Sequence, residues 1–189
     1  MIITISGTAG SGKSTVSKQL VEKLNAKRIY VGGIRRELAR EKGMTLEELN
    51  EYAKTHEETD VGVDRKAAEE ARKLSRDNDY VIVEGRTQFH FLPESLKIFI
   101  KVDFNEAAKR IWKDLQSEKK REQRNEAMYE SLEAMKKRIF EREEEDAQRY
   151  LKYYDIDHRD ESQYDLVIDS THISAEEVTS KILDFLKQQ

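Results

Sequence analysis

Cysteine is absent from this chain, which removes disulfide frameworks and thiolate metal sites. Proline occurs once, at Pro93, and none of the eight glycines lies beyond Gly85. From about residue 104 to 154, then, nothing in the sequence breaks a helix. Long apolar runs are missing too: no stretch approaches the roughly 20 residues that span a bilayer. The N-terminus enters a β-rich run at once, without the basic-then-apolar layout of a secretory leader, so the expectation is a soluble cytoplasmic protein that contacts no membrane. Charge of one sign is also lacking. In 189 residues, 34 basic and 38 acidic side chains leave a net charge of −4, which argues against a general binder of nucleic acid or membrane surface. His56, His90, His158 and His172 are scattered without metal-ligand spacing and are expected on the surface or in packing.

What is present begins at residue 7. The stretch GTAGSGKST, running from Gly7 through Thr8, Ala9, Gly10, Ser11, Gly12, Lys13 and Ser14 to Thr15, fits G-x-x-x-x-G-K-[ST]. Its glycines allow successive backbone N–H groups to turn around a polyphosphate, and the helix that follows points its positive end at the same anion. Lys13 reaches β- and γ-phosphates in such a loop, and the Ser14 hydroxyl ligates Mg²⁺. The context fits: Ile2, Ile3 and Ile5 precede the loop, and Val16, Leu20, Val21 and Leu24 follow at helical spacing. A bound nucleoside triphosphate is therefore expected, while the acceptor of its phosphate is left open.

Four more β-rich runs follow the first (2–6), at 28–31, 80–84, 96–102 and 165–169, with helical patterns between them. This alternation predicts one α/β domain with a five-stranded parallel sheet, helices on both faces, and binding at the carboxyl ends of the strands. Thr45 with Glu48 and Ser174 with Glu177 form capping boxes, and Ile173 with Val178 a hydrophobic staple. The last helix is expected to turn Val178, Ile182 and Phe185 inward. The charged stretch from 104 to 154 reads either as a solvated helical hairpin or as a lid whose arginines meet phosphates.

Transferring a phosphoryl group to a second phosphorylated substrate requires cations beyond Lys13 and Mg²⁺, and arginine binds phosphate through a planar, permanently charged fork. Arg36 follows the second run in YVGGIRREL, with Gly32 and Gly33 allowing close backbone approach. Arg86 follows the third in VIVEGRT, where Gly85 removes a side chain near a ligand. Arg142 and Arg149 lie two helical turns apart on one face, with Asp146 between them. Glu84 ends a strand expected beside the glycine loop. It can act on Mg²⁺ through a bound water, or serve as a structural partner of Lys13 or Arg86.

Taken in order, these motifs make the chain resemble the cytidylate kinases, a P-loop nucleoside monophosphate kinase family, in their short archaeal form. The resemblance runs through GTAGSGKST, YVGGIRRELAREKGMTLEELNEYA, VDRKAAEEARK, VIVEGR, LKIFIKVD, EREEEDAQRYLKYYDID and YDLVIDSTHISAEEV. It implies a P-loop NTPase fold with a helical lid and transfer of the γ-phosphate of ATP, with Mg²⁺, to CMP or dCMP. It implies that Arg36 and Arg86 bind the acceptor phosphate and that Arg142 and Arg149 close over the transferring group. Asp146 is implied to help hold the acceptor's sugar, Ser170 and Thr171 to border the adenine, and Asp64 and Arg65 to lie near the acceptor base. The acceptor-binding region falls at about 32–76 and the lid at about 105–155; a monomer is the simplest assembly, and the long charged helices fit a dimer as well. Thr87 stands where longer bacterial members carry an aspartate, so the sequence leaves the choice of base without a residue.

Two other classes are weighed. A GTP-dependent switch needs D-x-x-G and [NT]-K-x-D, neither of which occurs. A non-catalytic ATP-binding module makes no use of arginines at strand ends. Within enzymes, a kinase for AMP, UMP or a shikimate-like acceptor stays open, because an arginine that binds phosphate does not identify what carries it.

Overall fold

The computed structural model describes residues 1–118, 122 and 129–188. Residues 119–121 and 123–128, within the charged run read as hairpin or lid, lie outside the described residues. The strands are β1 (Ile2–Gly7), β2 (Lys27–Tyr30), β3 (Val81–Glu84), β4 (Leu96–Lys101) and β5 (Leu166–Asp169). They form one sheet in the order β2-β3-β1-β4-β5, with every neighbouring pair parallel. All five β-rich runs of the sequence are thus strands.

The residue types explain the position of β1 at the centre. All six of its residues, IITISG, are buried, and alternate side chains leave on opposite faces. Ile3 and Ile5 pack with Val16 and Leu20 of α1 (Lys13–Leu24) and with Val178 and Ile182 of the last helix (Ala175–Leu186). On the other face, Ile2, Val81 and Val83 meet Ala67, Ala68 and Ala71 of α4 (Val61–Leu74). Thr4 and Ser6 are buried as well, but satisfied: Thr4 Oγ1 lies 3.0 Å from Ser95 Oγ, and Ser6 Oγ donates to the Gly85 carbonyl at 2.9 Å.

Both predicted capping boxes form, at the starts of α3 (Leu46–Ala53) and of the last helix, and Ile173 packs on the core as the staple requires. One residue of that helix departs from expectation. Leu183 and Leu186 complete its apolar stripe, whereas Phe185 stays half-buried, because a stripe running from Val178 through Ile182 to Leu186 leaves Phe185 at its margin. The remaining helices are α2 (Val31–Glu41), the short α5 (Gln88–Phe91), α6 (Phe104–Leu115) and α7 (Leu132–Tyr154). The last two form the charged stretch and share a small apolar cluster of Ala108, Ile111, Leu115 and Met135. Among the described residues, no helix is long and apolar enough to cross a membrane.

Sheet register positions the site. Ile5 and Tyr30 both pair with Glu84, so the carboxyl ends of β1, β2 and β3 lie side by side. The glycine loop leaves from the first of them, α2 from the second and the Gly85–Arg86 turn from the third.

Candidate active site

Gly7 ends β1 with φ +143°, and a Cβ there would lie 2.0 Å from the Ile100 carbonyl oxygen. No other residue fits this bend. Gly12 (φ +86°) then turns the chain into α1. Inside the loop, the Lys13 ammonium donates to the carbonyls of Gly7 (2.6 Å) and Thr8 (2.5 Å). Ser14 Oγ donates to Glu84 Oε1 at 2.5 Å, and Glu84 also pairs with Arg28. The structural partner of Glu84 is therefore Arg28, not Lys13 or Arg86, because Arg28 lies on the adjacent strand β2. A hydroxyl and a carboxylate in contact at a helix N-terminus fit Mg²⁺, which takes one or two protein oxygens and completes its shell with water and phosphate.

A cavity of about 260 Å³ opens above this loop. From the loop it is lined by Ala9, Gly10, Gly12, Lys13, Ser14 and Thr15, and from the strand ends by Gly32, Arg36, Glu84, Gly85 and Arg86. Asp64 reaches it from α4, and Arg142, Asp146 and Arg149 reach it from α7. Gly7, Thr8 and Ser11 lie behind it, in the turn of the loop.

The charges in this cavity are interlocked. Arg86 pairs with Asp146 through Nη1 and with Glu143 through Nη2 at 2.8 Å. Arg149, 2% exposed, donates from Nε to Asp60 Oδ2 and from Nη2 to Asp146 Oδ1, both at 2.6 Å. Arg35 pairs with the same Asp60 and donates to Asn50 Oδ1 at 2.9 Å. Glu143 Oε1 also accepts the backbone N–H of Ala9 at 3.1 Å, tying α7 to the glycine loop. Burial alone would draw Arg86 toward neutrality, but Glu143 and Asp146 more than offset it and raise its pKa. Burial pushes the carboxyls of Glu143 and Asp146 up. The guanidinium of Arg86 pulls both down, joined by His158 and Lys13 at Glu143 and by Arg149 and Arg142 at Asp146, and both end lowered. Asp64 is the contrary case, its pKa raised by burial against opposing hydrogen bonds from Thr87 and Tyr154.

Not every expected residue enters this cavity. Arg65 is exposed and does not line the cavity, since successive helical residues point about 100° apart and Asp64 takes the inward direction. Gly32 and Gly33 lie in the first turn of α2, where the Tyr30 ring fills the space a Cβ would occupy. At Gly85 that space holds Gln88 Cγ (2.7 Å) and Val31. These glycines therefore serve packing within the chain. Asp146 pairs with Arg86 and Arg149 and also feels the charge of Arg142. Ser170 and Thr171 lie outside the cavity. Ser170 Oγ donates to the Ser11 carbonyl at 3.0 Å, and Thr171 lines a separate depression with Asp103 and His172. Arg110 of α6 donates to the carbonyls of Ser170 (2.9 Å) and Thr171 (3.1 Å).

Comparison with known proteins bears on this arrangement. A family model described as AAA domain matches residues 3–150. The cytidylate kinase of Thermococcus kodakarensis is 38% identical over 173 residues, covering 91% of this chain and 80% of the relative. That of Methanocaldococcus jannaschii is 36% identical over 191 residues and covers all of both chains. The chain belongs to the cytidylate kinase family. A crystal structure of shikimate kinase from Bacteroides thetaiotaomicron superposes with a TM-score of 0.57 at 15% identity, covering 99% of this chain and 98% of that one. At that identity the likeness concerns the fold: a P-loop NTPase with a five-stranded parallel sheet.

In this cytidylate kinase family member, the cavity is also lined by Arg35, Asn50, Asp60 and Tyr150, and Glu143 pairs with its Arg86; sequence reasoning selected none of these five. Asp60 had a legible signal, because it stands four residues before Asp64 and so shares its helical face. Arg35 adjoins Arg36, and only the phase of α2 decides which reaches Asp60. His158, expected in packing, is buried with Nε2 3.8 Å from Glu143.

Proposed function

We propose that this protein transfers the γ-phosphate of ATP to CMP or dCMP, by in-line displacement with Mg²⁺ and without a covalent enzyme intermediate. The observation that carries this reading is one cavity bringing the glycine loop, Lys13 and Ser14 together with Arg36, Arg86, Arg142 and Arg149. Such transfer asks the protein for alignment and charge neutralisation and for little covalent chemistry. The loop backbone and Lys13 hold the β- and γ-phosphates. Ser14 would hold Mg²⁺, with Glu84 acting on it through a bound water, and the ion would neutralise phosphate charge. Arg36 and Arg86 take the acceptor phosphate, with Asp64 and Asp146 nearer its nucleoside; Arg36 and Asp64 belong to an acceptor region of about 32–76. Arg142 and Arg149 belong to a lid of about 105–155 that excludes water and so limits hydrolysis. Ser170 and Thr171 border the adenine, held by Arg110. On this reading the protein acts on small molecules in the cytoplasm, and its near-balanced charge fits a protein that is no general binder of nucleic acid or membrane.

The test is ADP release from Mg-ATP with CMP, dCMP, UMP, AMP, GMP or shikimate offered separately, against a control without acceptor. Rapid turnover with CMP and dCMP is expected. Turnover confined to another acceptor would keep the phosphate chemistry and overturn the substrate, and no acceptor-dependent turnover would overturn both.

Arg86→Ala separates the two subsites. Loss of one charge-assisted phosphate contact should raise KM for CMP by roughly 10- to 100-fold. KM for ATP should stay within about twofold, since Arg86 does not belong to the loop. Weakened ATP use with unchanged acceptor kinetics would show that the subsites had been interchanged.

A further inference from the structure

Tyr30 ends β2 and lines the cavity, yet nothing in the proposed chemistry uses it. Its hydroxyl accepts a hydrogen bond from Arg36 Nη1 at 2.7 Å, and the Gly32 carbonyl accepts a second from the same nitrogen at 2.8 Å. An Nη carries two hydrogens, so these two acceptors take both and fix the plane of the guanidinium. The ring adds to the hold. Its centroid lies 5.8 Å from Arg36 Cζ and 4.7 Å from Arg28 Cζ, both within the range of a cation–π contact. Arg28 is itself paired with Glu84. Tyr30 therefore contacts two guanidiniums, one tied to β3 and the other assigned to the acceptor phosphate.

The neighbouring glycines make room for this arrangement. A Cβ on Gly33 would lie 2.6 Å from Tyr30 Cδ1, and one on Gly32 would lie 3.0 Å from Tyr30 Cε2 and 3.1 Å from Arg36 Nη1. A side chain at either position would push the ring or the guanidinium away, so the first turn of α2 is built around the Tyr30–Arg36 pair. The chemistry of the partners matters too. Arg86 and Arg149 are gripped by carboxylates, which cancel part of the charge that draws a phosphate. A phenol and a peptide carbonyl carry no formal charge, so these two contacts orient Arg36 without neutralising it.

We infer that Tyr30 is a positioning residue of the acceptor-phosphate subsite: its hydroxyl and ring hold the Arg36 guanidinium in the orientation in which it meets the phosphate of a nucleoside monophosphate. This rests on the kinase reading above and on the part of Arg36 in it, and adds a residue that acts through Arg36. A free arginine side chain has many rotamers, and binding that must freeze them is weakened. An arginine already held spares the acceptor that cost.

Tyr30→Phe tests this by removing one oxygen while keeping the ring, its stacking and its packing against Gly32 and Gly33. KM for CMP should rise by roughly 5- to 20-fold, with kcat changed by less than about threefold. KM for ATP should stay within about twofold, because the glycine loop is untouched. The Arg36→Ala background separates positioning from direct contact. There Tyr30 has nothing left to orient, so adding Tyr30→Phe should change KM for CMP by no more than about twofold. An equal rise in both backgrounds would show that Tyr30 acts independently of Arg36, and an unchanged KM in the single variant would show that the hydroxyl positions nothing. Either result overturns the inference and leaves the kinase reading standing. A rise in both KM values with a lowered urea midpoint would mark Tyr30 as a support of the fold and overturn it as well. Absence of CMP turnover in the unaltered enzyme would instead overturn the kinase reading itself.

Discussion

Lys13→Ala should reduce acceptor-dependent ADP release by at least about 10²- to 10³-fold, the loss typical when one preorganised charge is removed from a transition state. The reasoning starts from geometry. Lys13 is the first residue of α1, and its ammonium is held within the loop by the Gly7 and Thr8 carbonyls at 2.6 and 2.5 Å. Those contacts hold a cation inside the glycine loop, and in the proposed reaction its charge would act on the group being transferred. Removing it deletes that stabilisation and leaves the glycine backbone, whose conformation Gly7 and Gly12 set, in place. The urea midpoint should shift by no more than the value of hydrogen bonds to a charged group, about 1–3 kcal/mol. Lys13→Arg should not rescue, since a planar fork cannot replace a compact ammonium between two carbonyls. Undiminished turnover in the alanine variant would refute the role assigned to Lys13. Loss of the folded far-UV spectrum would show instead that Lys13 holds the loop together.

Legibility in the sequence followed how local each signal was. The five strands and the glycine loop could be read because a buried parallel strand is a continuous apolar run and the loop's glycines are spaced by phosphate geometry. The capping boxes of Thr45–Glu48 and Ser174–Glu177 were equally local. The reading faltered where function depends on the pairing of distant charges. Glu143 stands in EREEED, where one glutamate looks like another, yet it alone of the three successive glutamates pairs with Arg86 and the Ala9 amide. Arg35 and Asp60 are 25 residues apart and meet only because α2 and α4 converge on the cavity. Arg65 was chosen from a motif and excluded by helix phase. Arginines at strand ends were legible as cations, but their partners were not, because a carboxylate partner is fixed by the tertiary arrangement.

That pairing makes Arg149→Met the most destabilising change expected here. Arg149 lies between two buried carboxylates, Asp60 and Asp146, and methionine keeps its bulk while removing the charge. Among the described residues, Asp60 then retains Arg35 and Asp146 retains Arg86, with the charge of Arg142 also acting on Asp146. Breaking a buried ion pair by removing one partner typically costs about 3–5 kcal/mol, because the surviving charge stays desolvated. The remaining arginines should hold the loss toward the lower end, and urea unfolding at pH 7 measures it. Acid supplies the check that the loss is electrostatic. Asp146 has a lowered pKa in the fold, so its ionised form contributes stability that is present in full above the unfolded-chain value, near pH 4. That contribution disappears as pH falls through the folded value. Without Arg149 the folded value rises and less stability is there to lose. The difference between wild type and variant should therefore narrow steadily below about pH 4. A gap that stayed constant to pH 3 would mean that Arg149 stabilises by packing of its aliphatic stem, and the ion-pair account of this site would fail.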